Sequence, residues 1–204
     1  MNNMNQRDNS KRSKYRPTFN LVIPSDQTSD KELSELNIAH QIFYAYNDTK
    51  KILWTSKFIA EKEIQSITQK TVIINLVPEE HYDCNNPFVK YFHIPIADDI
   101  LSGNEISNNF SKILESFRIW ENDNDITNMI IHCKMGVHRS FTVATILTMF
   151  LHHKQNSPRD YIPKQSDYDK FVNDIQNKNK YIFSPACFNE TQISDMYNLF
   201  IKVH

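Results

Sequence analysis

The segment Ile131-His132-Cys133-Lys134-Met135-Gly136-Val137-His138-Arg139-Ser140 places a thiol, a run of backbone amides, a guanidinium and a hydroxyl within ten residues. A thiolate is a strong nucleophile, and a neighbouring cation or helix N-terminus favours that form over the thiol. The five residues Lys134, Met135, Gly136, Val137 and His138 present their N–H groups to a common centre if they curl into a loop. The first amides of a helix that follows lack intrahelical partners, so loop and helix together cradle an anion, above all a phosphate. Arg139 can hold two phosphate oxygens with its planar fork, which a lysine cannot match. Ser140 can donate a hydrogen bond to the sulfur and ease its departure in a second step. Gly136 is one of only two glycines in the chain, which suggests a backbone need for positive φ or close approach. The chemistry this adds up to is in-line attack of the Cys133 thiolate on a cradled phosphate ester. The competing reading, a buried inert cysteine, does not account for the arginine and serine. His132 reads as a buried histidine ordering the loop rather than as a proton-transfer group. His138, His152 and His153 match no structural zinc spacing with Cys133, so neither metal nor cofactor is expected.

Such a loop needs a strand before it and a helix after it. Asn128–His132 reads as a core strand, and Phe141–His152 as a helix apolar almost all round and therefore buried. Further upstream, HQIFYAY and KILWT flank Asn47-Asp48-Thr49-Lys50 and read as a β-hairpin. Glu61–Thr68 reads as a short helix. Thr71–Val77 (TVIINLV) has the near-continuous β-branched pattern of a strand covered on both faces, and Lys90–Ile96 (KYFHIPI) is a further strand. After a polar loop at 97–104, Ser102-x-x-Glu105 predicts a capping box opening one helix. Its inward face is Ile106, Phe110, Ile113, Leu114, Phe117 and Trp120. Residues 153–165 read as a polar loop. Helices follow near 167–177 and 190–202, the second capped by Asn189 with Ile193, Met196, Tyr197 and Phe200 inward. Strands alternating with helices predict an α/β domain with a central, mostly parallel sheet flanked by helices. Its ligand site belongs at the carboxyl ends of the strands, where Cys133 falls.

The Cys133–Ser140 segment resembles the signature His-Cys-x5-Arg-Ser/Thr of the cysteine-dependent protein tyrosine phosphatase superfamily. With Gly136 included, a chance match in such a chain is on the order of one in ten thousand. The resemblance extends more loosely over residues 40–204 and implies the tyrosine phosphatase-like fold of the compact, atypical dual-specificity branch. The cysteine loop lies too late in the chain for the low-molecular-weight branch, and the chain is too short for the tyrosine-specific branch. The resemblance also implies a general acid on the loop after the strand that precedes the helix before the signature. Ile94-Pro95-Ile96-Ala97-Asp98-Asp99 stands there, and Asp98 is preferred over Asp99. The implied activity removes phosphate from phosphotyrosine and phosphoserine or phosphothreonine of proteins through a cysteinyl-phosphate. Lys134 is similar to the lysine that the phosphoinositide branch carries after its cysteine. The second basic residue of that branch would fall on Val137, which cannot supply it, while His138 could do so in part. Alternatives within the fold are an RNA 5′-phosphatase, a phosphoinositide phosphatase and a non-catalytic phosphate-binding module. A rhodanese-like sulfurtransferase would not need Asp98. Some relatives pair the nucleophile with a second cysteine. Cys84 or the rival Cys187 could serve, although ordinary cysteines are the preferred reading of both.

The composition agrees with such a domain. Aromatic residues make up 12% of the chain, enough to fill a core, and the formal net charge of −1 calls for no nucleic acid or anionic membrane as obligatory partner. No apolar run approaches a bilayer-spanning length, and the N-terminus has no apolar signal region. Three cysteines without paired spacing favour a reducing compartment. An intracellular, cytoplasmic protein acting on a phosphorylated protein is therefore expected; its oligomeric state is left open. Residues 1–30 are expected to form a polar, basic N-terminal tail and entry segment, and residues 31–204 the catalytic domain. The tail itself, about 1–17, reads as solvated chain rather than a docking arm.

Overall fold

The β-branched run Thr71–Asn75 is buried at every residue and lies inside a sheet that has five strands among the described residues. The structure is a computed structural model that describes residues 41–46, 51–99, 101–178 and 185–203. The expected N-terminal tail, the segment 18–36 and the turn Asn47–Lys50 lie outside those residues. The strands are β1 (Gln41–Tyr46), β2 (Lys51–Ser56), β3 (Thr71–Asn75), β4 (Val89–His93) and β5 (Asn128–His132). The helices are α1 (Glu61–Gln65), α2 (Ser102–Asn108), α3 (Phe110–Asn122), α4 (Arg139–Asn156), α5 (Gln165–Lys178) and α6 (Glu190–Val203).

The sheet order is β1-β2-β5-β3-β4. β2, β5, β3 and β4 run parallel, and β1 adds an antiparallel edge through its pairing with β2. The strand that leads into Cys133 is therefore central. Alternation along the strands divides the core in two. Leu53, Val72, Ile74, Met129 and Ile131 face a large cluster with residues of α3, α4, α5 and α6. Ile73 and Ile130 face a smaller one with Ile59, Ile64 and Val89.

The register brings four strand ends level. Ser56 of β2 and Asn75 of β3 both pair with His132, and Asn75 pairs with His93 of β4. The loops that leave these residues converge on one edge, so the loop after β5 has neighbours on both sides. At the other edge, buried Lys51 donates its ammonium protons to the carbonyl oxygens of Trp120, Asp123 and Ile126. It thereby closes the C-terminus of α3, where carbonyls lack helical partners. Burial lowers its pKa.

Several boundaries differ from the sequence reading. The strand expected over Lys90–Ile96 ends at His93, although Ile94 N–H and Ile96 N–H still donate to the carbonyls of Asn75 and Leu76. The helix expected from Ser102 onward is broken at Asn109, yet Ile106, Phe110, Ile113, Leu114, Phe117 and Trp120 are all buried. The break realigns one apolar stripe without losing it. α4 runs to Asn156, so the first four residues of the expected loop 153–165 are helical. Asn189 caps α6 as expected, in a reciprocal pair: Gln192 N–H donates to Asn189 Oδ1 and Asn189 N–H to Gln192 Oε1. The second glycine, Gly103, serves packing, since a Cβ there would stand 2.5 Å from the Cys187 carbonyl oxygen.

Candidate active site

Cys133 is the first residue past β5 and is 1% exposed, at the floor of the loop that runs to α4. Its sulfur accepts the Gly136 N–H at 3.3 Å and stands 3.3 Å from Ser140 Oγ. Both groups stabilise negative charge on sulfur if Ser140 donates. Gly136 has φ of +76°, and a Cβ on it would lie 2.6 Å from Lys57 N and 2.7 Å from the Ser56 carbonyl carbon. The backbone need inferred from its rarity is thus double: a left-handed conformation and contact with the end of β2. Phe58 N–H donates to the Lys134 carbonyl and Cys133 N–H to the Ser56 carbonyl, which pin the loop to that strand end. Gly136→Ala is expected to push the loop off β2 and cut turnover by about 10²-fold, the unfolding midpoint falling only as far as about 1–3 kcal/mol allows. Turnover and chemical denaturation on the same preparation check both parts.

Arg139 begins α4 and is 2% exposed. Nη1 donates to the Ile96 carbonyl at 2.8 Å and the Leu76 carbonyl at 3.3 Å, and Nη2 donates to Asp98 Oδ2 at 3.1 Å. Nε is buried and has no partner. A buried guanidinium N–H without an acceptor is costly, and an anion in the Cys133 loop would supply one. Asp98, with its side chain half exposed, also accepts at Oδ1 from His138 Nδ1, 3.2 Å away. Asp99 turns elsewhere: its Oδ1 accepts the Leu101 N–H, ahead of α2. Of the acidic pair, Asp98 is the residue that reaches the loop.

The other loop residues divide by exposure. Lys134 and Met135 are exposed, and Val137 and His138 are partly buried. His132 is fully buried with neither ring nitrogen partnered, and burial with the neighbouring His93 pushes its pKa down to about 3. It is therefore neutral at physiological pH, and Phe58 lies edge-on to it at 6.2 Å. Cys84 packs against the smaller core cluster, whereas Cys133 belongs to the large one, and Cys187 is exposed. His152 and His153 do not gather with Cys133. Among the described residues no three His, Cys, Asp or Glu side chains are placed to hold a metal ion, and no helix is long and apolar enough to cross a membrane. A hollow of about 690 Å³ lined by Lys90, Arg118 and Asp123 lies at the amino ends of the strands, opposite the cysteine loop.

One positioning contact escaped the sequence reading. Ser102-x-x-Glu105 is not a capping box: α2 follows Leu101, and Ser102 Oγ is buried without a partner. Glu105 instead accepts the N–H of Ala97, the residue before Asp98. The spacing signal was real, but the donor lies eight residues away instead of three, a choice that only the fold around Ala97 decides.

No family model matches the chain, and neither does any curated protein. Similar solved structures include phosphatases. The Yvh1 phosphatase domain from Chaetomium thermophilum shares 14% identity over 74% of this chain and 90% of its own, with a TM-score of 0.49. DUSP15 shares 15% identity over 74% and 89%, also with a TM-score of 0.49. OH1 from the Orf virus, a tyrosine phosphatase with triple substrate specificity, shares 14% over 74% and 82%, with a TM-score of 0.47. The described residues themselves form an α/β domain, a sheet that is parallel but for its β1 edge, with helices packed against it.

Proposed function

We propose that this protein is a cysteine-dependent phosphomonoester hydrolase acting on phosphotyrosine and phosphoserine or phosphothreonine of proteins. The observation that carries the reading is the orphaned, buried Nε of Arg139 at the end of a loop whose Cys133 sulfur accepts from Gly136 N–H. A dianion bound by the loop amides and Arg139 sits over that sulfur. In the first step the Cys133 thiolate attacks phosphorus, the S–P bond forms and the P–O bond to the leaving group breaks. The leaving oxygen takes the proton carried by Asp98. In the second step water attacks phosphorus, Asp98 accepts its proton, and the S–P bond breaks to release phosphate and restore the thiolate. Ser140 and Gly136 N–H stabilise the sulfur as it leaves. Every proton and electron pair is accounted for by the chain, the ester and water.

Asp98→Asn is expected to slow hydrolysis of alkyl and ordinary aryl phosphates by about 10²-fold or more. The loss shrinks for a substrate whose leaving group is already acidic, because that oxygen needs no proton. A large loss in Asp99→Asn with none in Asp98→Asn would move the acid by one residue. The substrate class is tested by a side-by-side panel of phosphotyrosine and phosphothreonine peptides, a phosphoinositide and 5′-triphosphorylated RNA. Highest kcat/KM on the peptides supports the reading. Exposed Lys134, directly after the nucleophile, favours the phosphoinositide as the second reading, and the same panel decides between them.

A further inference from the structure

Asp98 stands on a loop with its side chain half exposed, a setting in which a carboxylate ordinarily samples several rotamers. Here each oxygen has its own donor: Oδ1 faces His138 Nδ1 at 3.2 Å, and Oδ2 faces Arg139 Nη2 at 3.1 Å. The two donors are consecutive residues at the start of α4. His138 is itself anchored. Its carbonyl accepts from Thr142 N–H at 2.8 Å and Thr142 Oγ1–H at 2.9 Å, and Thr142 Oγ1 in turn accepts the Ala186 N–H at 3.2 Å.

The two contacts fare differently when substrate enters. Arg139 is the cation that a phosphate dianion claims, and the dianion repels a carboxylate on the same guanidinium. Oδ2 therefore loses its partner in the productive complex, and it is also the oxygen nearest the phosphate-binding group. His138 has no such competitor. A protonated carboxyl keeps one oxygen as acceptor, so Oδ1 can hold the His138 N–H while Oδ2 carries the proton.

We propose that His138 is the positioning residue of the acid: its Nδ1–H holds Asp98 Oδ1 so that Oδ2 presents its proton to the leaving oxygen after Arg139 has turned to phosphate. The inference rests on the hydrolase reading above. It assigns to a residue of the anion loop a task separate from anion binding, and it reaches the reaction through Asp98.

The test uses the full chain and two substrates that differ in leaving group, phenyl phosphate and 2,4-dinitrophenyl phosphate. Phenolate needs the proton and dinitrophenolate does not. His138→Ala is expected to lower kcat on phenyl phosphate about tenfold more than on dinitrophenyl phosphate. His138→Asn, whose side-chain N–H lies near the place of Nδ1, is expected to recover most of that difference. In the Asp98→Asn background, His138→Ala is expected to cost phenyl phosphate no more than it costs the activated ester. Equal losses on both esters, or a full additional loss in the Asp98→Asn background, would overturn the proposal and leave the hydrolase intact, since His138 would then act on phosphate or on the fold. A parent protein that turns over neither ester overturns both. If His138→Ala does not fold, His138→Leu supplies the comparison, because it fills the place of the ring and brings no N–H, and the same tenfold difference between the two esters is expected.

Discussion

Cys133→Ser is expected to lower turnover by at least about 10⁴-fold while phosphate still binds. The two properties separate because different atoms carry them. In the proposed mechanism binding rests on loop amides and on Arg139, and the substitution changes neither. The replaced atom is the proposed nucleophile, and among the described residues a serine hydroxyl at this place has no base to ionise it. Among the described residues the side chain that the sulfur meets is the Ser140 hydroxyl at 3.3 Å, and His132 behind the loop is neutral and fully buried. Serine is also slightly smaller, so the floor of the loop, where Cys133 is 1% exposed, takes it without overpacking. Rapid-quench kinetics with an acidic leaving group should show a burst of one phenolate per chain in the parent and none in the variant. Calorimetry with inorganic phosphate reads the binding. Turnover within a few-fold of the parent would remove the covalent mechanism.

The parts of this site that were legible beforehand are those that are contiguous in sequence. The strand–loop–helix order around Cys133 is written in ten consecutive residues, and the β-branched run at Thr71–Asn75 marks a doubly covered strand by residue type alone. Gly136 stood out because glycine is so scarce here, and both its φ and its contact with Ser56 and Lys57 explain the choice. The parts that were not legible are contacts across the chain. Asp98 meets His138 and Arg139 from about forty residues away, and Arg139 meets Leu76 from further still. The register that levels Ser56, Asn75 and His93 around His132 decides these meetings, and no local pattern encodes a parallel register. Glu105 shows the same limit from the other side. Its spacing from Ser102 fitted a local rule, but a backbone N–H in the acid loop offered a better use of its charge.

Arg139→Lys is expected to lower turnover by about 10³-fold and, unlike Cys133→Ser, to weaken phosphate binding as well. One guanidinium serves three directions at once. Nη1 ties the Leu76 and Ile96 carbonyls, in the segments that follow β3 and β4, to the start of α4. Nη2 holds Asp98, and Nε is left for the ligand. A lysine ammonium is a single nitrogen at the end of a flexible stem. It can reach one of these groups, or sit between two, but it cannot reproduce a planar fork that spans all three. With Arg139 2% exposed, the abandoned Ile96 carbonyl gets no water in exchange, which costs about 1–3 kcal/mol, while the Leu76 carbonyl keeps the Ile96 N–H; the variant should also unfold at lower denaturant. The Asp98 carboxylate loses one of its two donors at the same time and keeps His138 Nδ1. Steady-state kinetics, phosphate calorimetry and denaturation on one preparation separate the three losses. A variant that binds phosphate as tightly as the parent would mean that the loop amides hold the anion alone and that Arg139 is there for the fold.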